Sequence, residues 1–227
     1  MSTPAYLYIL LASLSIPLLR SFEPRVFYIS RWKPLLISFS LTALFFITWD
    51  IIFTKNGVWG FNPRYLVGIN IINLPIEEWL FFFIIPYSSV FIYVCLNHFI
   101  RKDYLKDFGV PLARFVGLAL LVIALLNPGR AYTFWNFLFT GLFLSYHGFI
   151  LKNHYLGRFW VAYLVHLIPF LIVNGILTGS YVDEPIVWYN NAENLGIRIG
   201  TIPVEDTVYA MLLLMMNITF LERFSSK

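Results

Sequence analysis

Seven stretches of this chain are long, apolar and nearly free of charge: residues 3 to 19, 34 to 53, 79 to 100, 111 to 129, 131 to 151, 159 to 179 and 207 to 221. A helix needs roughly 17 to 25 mostly apolar residues to cross the hydrocarbon core of a bilayer. The pattern therefore predicts an all-α polytopic membrane protein of about seven transmembrane helices. Composition agrees, because only 12% of residues are charged, about half the share of an ordinary soluble domain. Seven spans in 227 residues leave room for short loops only, so a single membrane domain over 1–227 is expected. The first run is short and contains Pro4 and Pro17. It lacks the basic leader and small-residue cleavage site of a secretory signal, and is read as a helix.

The net charge of +4 says less than its distribution. Arg20, Arg25, Arg31, Lys33, Arg101, Lys102, Lys106, Arg114, Lys152, Arg158, Arg223 and Lys227 fall on one side of the predicted spans, and only Lys55, Arg64, Arg130 and Arg198 on the other. That bias places the N-terminus outside and the C-terminus in the cytoplasm, in the cell inner membrane. The basic residues then serve as topology anchors, and no nucleic-acid partner is indicated. Cys95 is the single cysteine, which excludes an intrachain disulfide and a thiolate metal cluster.

The chain repeats itself. Residues 68 to 78 read GINIINLPIEE and residues 196 to 206 read GIRIGTIPVED, an offset of 128. Gly68/Gly196, Ile69/Ile197, Ile71/Ile199, Pro75/Pro203 and Glu77/Glu205 are identical, and Glu78/Asp206 keep their character. The offset carries the first three spans onto the last three. A shift of four spans preserves orientation, so the repeat is parallel, with 1–100 as the first unit, 111–129 as a linking helix and 131–227 as the second. Both motifs then open their helices from the same side.

Proline suits a first helical turn, and acids just after it meet the positive end of the helix dipole. Asn73 and Thr201, just upstream, are candidates to satisfy free amides. One such motif reads as a well-made helix start; two facing copies shift the reading toward function. Asp50, in TWDIIF, joins Glu77, Glu78, Glu205 and Asp206 on the same side. A helix C-terminus disfavours negative charge at Asp50, whereas helix N-termini favour it at the other four, so one site would hold proton donors and acceptors. Adjacent residues point about 100° apart on a helix, so Glu77 and Glu78 cannot face one point; the identical pair Glu77 and Glu205 is taken as inward-facing. Arg64, Arg130 and Arg198 are expected to neutralise the cluster. Trp49, Trp79, Phe81, Phe82 and Tyr209 lie near the acids and are candidates to line an apolar cavity and steady a carbocation with their ring faces.

The paired LPIEE and IPVED segments, the preceding WD and the run FFF resemble the membrane lycopene cyclases, which occur as two small subunits, as a fused pair, or as the cyclase part of fungal bifunctional carotenoid enzymes. The resemblance spans nearly the whole chain and matches the fused form. It implies acid-catalysed isomerisation of a linear carotenoid: protonation of the terminal double bond, attack of an internal double bond on the cation, and loss of a proton. It carries catalytic roles to Glu77, Glu78, Glu205 and Asp206. Thr178 stands where Asp50 would have a counterpart, so the halves need not be chemically equivalent. The implied partners are a hydrophobic polyene, the lipid bilayer and other carotenoid enzymes; no cofactor is evident, and no metal site.

Other classes fit less well. A retinal protein needs a lysine deep in the last helix, a prenyltransferase needs aspartate-rich magnesium motifs, and a di-iron hydroxylase needs paired histidines, which His98, His147, His154 and His166 do not form. A proton-coupled transporter predicts acids nearer the midplane and mid-span breaks. A carotenoid hydratase would share the protonation and then admit water.

Overall fold

The computed structural model describes residues 4–225; Thr3, at the edge of the first predicted span, and Lys227 lie outside them. Among the described residues seven α-helices run in chain order: α1 (Ala5–Arg20), α2 (Trp32–Lys55), α3 (Ile76–Phe99), α4 (Lys106–Leu126), α5 (Ala131–Ser145), α6 (Leu156–Leu177) and α7 (Val204–Ser225). The chain continues past α5 as a π-helical stretch, Tyr146–Leu151. Six of these helices are long and apolar enough to cross a membrane, and α1 is a shorter apolar helix of 16 residues. The protein is thus the all-α polytopic membrane protein that its hydropathy predicts.

The predicted helix starts at 79 and 207 are corrected to Ile76 and Val204. Each is preceded by a two-residue hairpin that hydropathy cannot reveal. The strands β2 (Asn70–Ile71) and β3 (Leu74–Pro75) pair before α3, and β5 (Arg198–Ile199) and β6 (Ile202–Pro203) pair before α7. Pro75 is therefore the extended residue ahead of the first turn of α3, not part of it. Asn73 and Thr201 do not cap either. Asn73 donates to the Ile51 carbonyl at 2.9 Å, and Thr201 Oγ1 meets Thr178 Oγ1 at 2.8 Å, so both tie their hairpin to the end of the preceding long helix.

The remaining strands join the halves. β1 (Trp59–Phe61) and β4 (Val187–Tyr189) run antiparallel with Gly60 opposite Trp188. These strands are themselves related by 128, and so are the 3₁₀ turns that follow them, Pro63–Tyr65 and Asn191–Glu193, each capped by an asparagine side chain. The exchange is reciprocal: Asn62 N–H donates to Ile186 O, and Asn190 N–H to Val58 O, both at 2.9 Å. A pseudo-twofold axis therefore passes through this strand pair. The helices follow it, with α1 on α3 as α5 on α7, and α2 on α7 as α6 on α3.

Helix α4 stands outside this relation and packs on α5 and α6. Small residues permit the close approach, as in many membrane helix pairs: a Cβ on Gly117 would lie 2.9 Å from the Ser145 backbone, and one on Gly141 would lie 2.9 Å from the Gly117 carbonyl. One turn away Arg114 adds a polar tie, donating to the Gly148 carbonyl within the π-helical stretch at 2.7 Å.

Candidate active site

The five acids converge at the end of the bundle where α2 finishes and α3 and α7 begin. All are buried, with relative exposures of 1% for Asp50, 0% for Glu77 and Glu205, 8% for Glu78 and 4% for Asp206. They separate into two kinds. Glu77 Oε1 accepts the Val67 backbone N–H at 2.6 Å, and Glu205 Oε1 accepts the Leu195 backbone N–H at 2.7 Å together with Thr133 Oγ1 at 2.7 Å. Each thus fastens the backbone ten residues upstream, by the same bond in both halves. Neither lines the cavity described next. The inward-facing pair is Glu78 and Asp206, which corrects the expectation for Glu77 and Glu205: the upstream N–H groups fix the rotation of α3 and α7.

Asp50, Glu78 and Asp206 open onto one cavity of about 420 Å³. Its remaining walls are largely apolar and aromatic, and include Trp59, Phe61, Phe81, Tyr209 and Leu213. From Glu78 the cavity follows α3 to Ile92, fourteen residues on and hence about 21 Å along the axis. Its far end lies between α1 and α6, where Ala12, Ile16 and Pro169 are exposed. That mouth would face the hydrocarbon of a bilayer rather than water.

Each carboxyl has its own setting. Asp50 Oδ1 accepts from Trp59 Nε1 at 2.5 Å and from Thr54 Oγ1 at 3.2 Å, while Oδ2 has no donor among the described residues. Glu78 accepts from Tyr6 at 2.5 Å and opens onto the same cavity as Asp50. Two buried carboxyls in one apolar site repel unless one of them holds a proton. Asp206 is instead fully supplied, by Tyr132 at 2.5 Å, Asn174 at 2.6 Å and Tyr189 at 2.9 Å. Lost hydration and the adjacent Asp206 push the Tyr189 phenol well above its usual value, which keeps it a donor.

None of the five acids has an ion-pair partner among the described residues, so the expected neutralisation by arginines is corrected. Arg64 pairs with the exposed Asp183 at 3.1 Å, and Arg198 bonds Asn191 and the Thr201 carbonyl. Of the aromatic candidates, Phe81 and Tyr209 line the cavity and three do not. Trp49 and Phe82 stack on Phe46 behind Tyr209, and Trp79 reaches back to the Ile71 carbonyl of its hairpin.

The residues that sequence reasoning missed are the donors. Tyr6 and Tyr132 serve Glu78 and Asp206 alike, each from the first turn of the helix that opens its half. An Ala–Tyr pair marks both sites in the sequence, but at an offset of 126 rather than 128. Asn174 and Tyr189 carry no such mark.

The fold and site define a class first: a polytopic membrane protein with unpaired carboxyls facing an apolar, aromatic-walled groove. The comparisons then give the family. The sequence profile described as lycopene cyclase matches residues 3–96 and 129–224, so the chain belongs to the lycopene cyclase family. It is 28% identical over 116 residues to a bifunctional lycopene cyclase/phytoene synthase of Aspergillus niger, covering 51% of this chain and 19% of that protein. A protein of the same description from Neurospora crassa is 27% identical over 89 residues, covering 39% of this chain and 14% of the relative. The chain thus spans less than a fifth of the length of these curated relatives. No solved structure matches it.

Proposed function

We propose that this protein closes rings on the linear end groups of a carotenoid by acid–base chemistry, with no net change in mass. The observation that carries the reading is the meeting of Asp50, Glu78 and Asp206 on one apolar groove. The Glu78–Asp50 pair supplies the proton, because two buried acids on one apolar cavity, with no cation beside them among the described residues, favour one staying protonated. Protonation of the terminal double bond leaves a tertiary cation at the neighbouring carbon. The internal double bond attacks it, the carbon–carbon bond of the ring forms, and the positive charge passes to the ring. Asp206, held by three donors in a form suited to accept, removes a proton and restores a double bond. One proton enters and one leaves, so the product is an isomer and the scheme moves no electrons in or out.

The faces of Trp59, Phe81 and Tyr209 offer the cation a ring quadrupole where water would otherwise capture it. Choice of the proton removed sets the ring type, β, ε or γ. The basic-residue bias supports a location in the cell inner membrane, with the acid end outside and both the basic end and the C-terminus in the cytoplasm. The test is expression in a lycopene-accumulating host with chromatography and mass spectrometry of the pigments. A cyclic product of unchanged mass is expected; a product heavier by one water indicates hydration and overturns ring closure.

A further inference from the structure

A pseudo-twofold protein ought to have two matching grooves, and the described residues form an open groove on one side and a filled twin on the other. The open one is walled by Ser13 of α1 and by Val173 and Leu177 of α6. Their counterparts are Phe139 of α5, at the offset of 126 set by Tyr6 and Tyr132, and Phe45 and Trp49 of α2, at the offset of 128. These three large rings close on one another: Phe45 is 5.4 Å and Trp49 5.3 Å from Phe139, and Phe45 is 5.9 Å from Trp49. Small and slim residues keep one side hollow; aromatic residues make the other solid.

The acids are unequal in the same sense. Thr178 replaces the counterpart of Asp50 and spends its hydroxyl on Thr201 and the Asn174 carbonyl. The filled side therefore lacks both the room for a substrate and the second carboxyl of a proton-sharing pair.

Resting on the polyene reading above, we propose that the groove between α1, α3 and α6 seats the unreacted length of a linear apolar polyene. The tail leads out to lipid between α1 and α6, and the protein handles one end group per binding event. A second ring then requires the monocyclic product to leave and return end for end.

Two measurements on the full chain in liposomes test this, with lycopene as the probe. In the first, binding is read by quenching of tryptophan fluorescence in a Glu78→Gln background, so that no turnover intervenes. Ser13→Phe with Val173→Phe, which copies the filled side, is expected to weaken binding roughly tenfold or more. Phe139→Leu is expected to leave it within about twofold by the same reasoning. Should the double variant fail to insert, Val173→Phe alone is measured for a smaller loss in the same direction. Equal binding by a folded groove-filled variant, or equal loss in Phe139→Leu, overturns the groove.

In the second, labelled lycopene is chased with excess unlabelled substrate after the first ring forms. Free labelled monocyclic product is expected, with labelled bicyclic product suppressed or absent. Labelled bicyclic product forming unabated through the chase overturns one-ended action. Binding that depends on Ser13 and Val173 without any ring product from the unaltered chain leaves the groove standing and removes only the cyclase reading.

Discussion

Gly60 and Trp188 are partners across the strand pair that joins the two halves, and each is the other's counterpart in the repeat. The Trp188 indole covers the place where a side chain on Gly60 would stand. Gly60→Val should therefore push the strands apart. A loss of about 1–3 kcal/mol, typical of overpacking, is expected as a lower thermal midpoint in detergent; an unchanged midpoint would show that the indole swings aside freely.

The two kinds of carboxyl predict two kinds of failure. Glu78→Gln and Asp206→Asn should lower turnover per folded molecule by about 10²–10⁴-fold, the range for general acid or base removal. Glu77→Gln and Glu205→Gln should instead weaken the hold on Val67 and Leu195, with a cost of about 1–3 kcal/mol for each buried group left without its partner. Turnover per folded molecule, set beside melting curves of all four variants, separates these outcomes. The assignment fails if the Glu77 variant is stable yet inactive.

Tyr6 and Tyr132 aim the two working carboxyls and do not themselves touch the reacting carbons in this scheme. Removing either hydroxyl as Tyr→Phe should reduce the rate by roughly tenfold, equivalent to about 1.4 kcal/mol. A pH–rate profile should shift on that limb governed by the carboxyl affected. No movement of the profile in either variant would reduce both tyrosines to packing.

His166 lines the groove with Nδ1 buried and without a partner among the described residues. An unsatisfied buried polar atom costs about 1–3 kcal/mol. His166→Leu is expected to raise the thermal midpoint of the empty protein. A fall would reveal that the imidazole is satisfied in the membrane.

Much of this was legible in the chain. The long helices follow from hydropathy alone, since lipid allows few other solutions for the backbone, and the duplicated LPIEE and IPVED brought the acids to one end. What pattern could not give was which acid of each pair turns inward. Glu77 and Glu78 differ by about 100° on α3, and that choice rests on a backbone N–H at Val67, in a loop without periodicity. Tyr189 was hidden for a related reason, because a strand of three residues is too short to show alternation. Trp49 and Phe82 lie within about a turn of the acids in sequence, yet they stack on Phe46 and do not line the cavity.

One rung of the joining ribbon has a mechanical meaning. Trp59 and Tyr189 are direct partners in the register, and they hold Asp50 and Asp206 respectively. The two carboxyls that the proposed scheme uses as proton source and proton acceptor are thus harnessed to a single yoke about 5 Å wide. A shift of either strand therefore bears on both carboxyls at once, so the spacing of the two acids is set by the ribbon that ties the halves and not by either half alone.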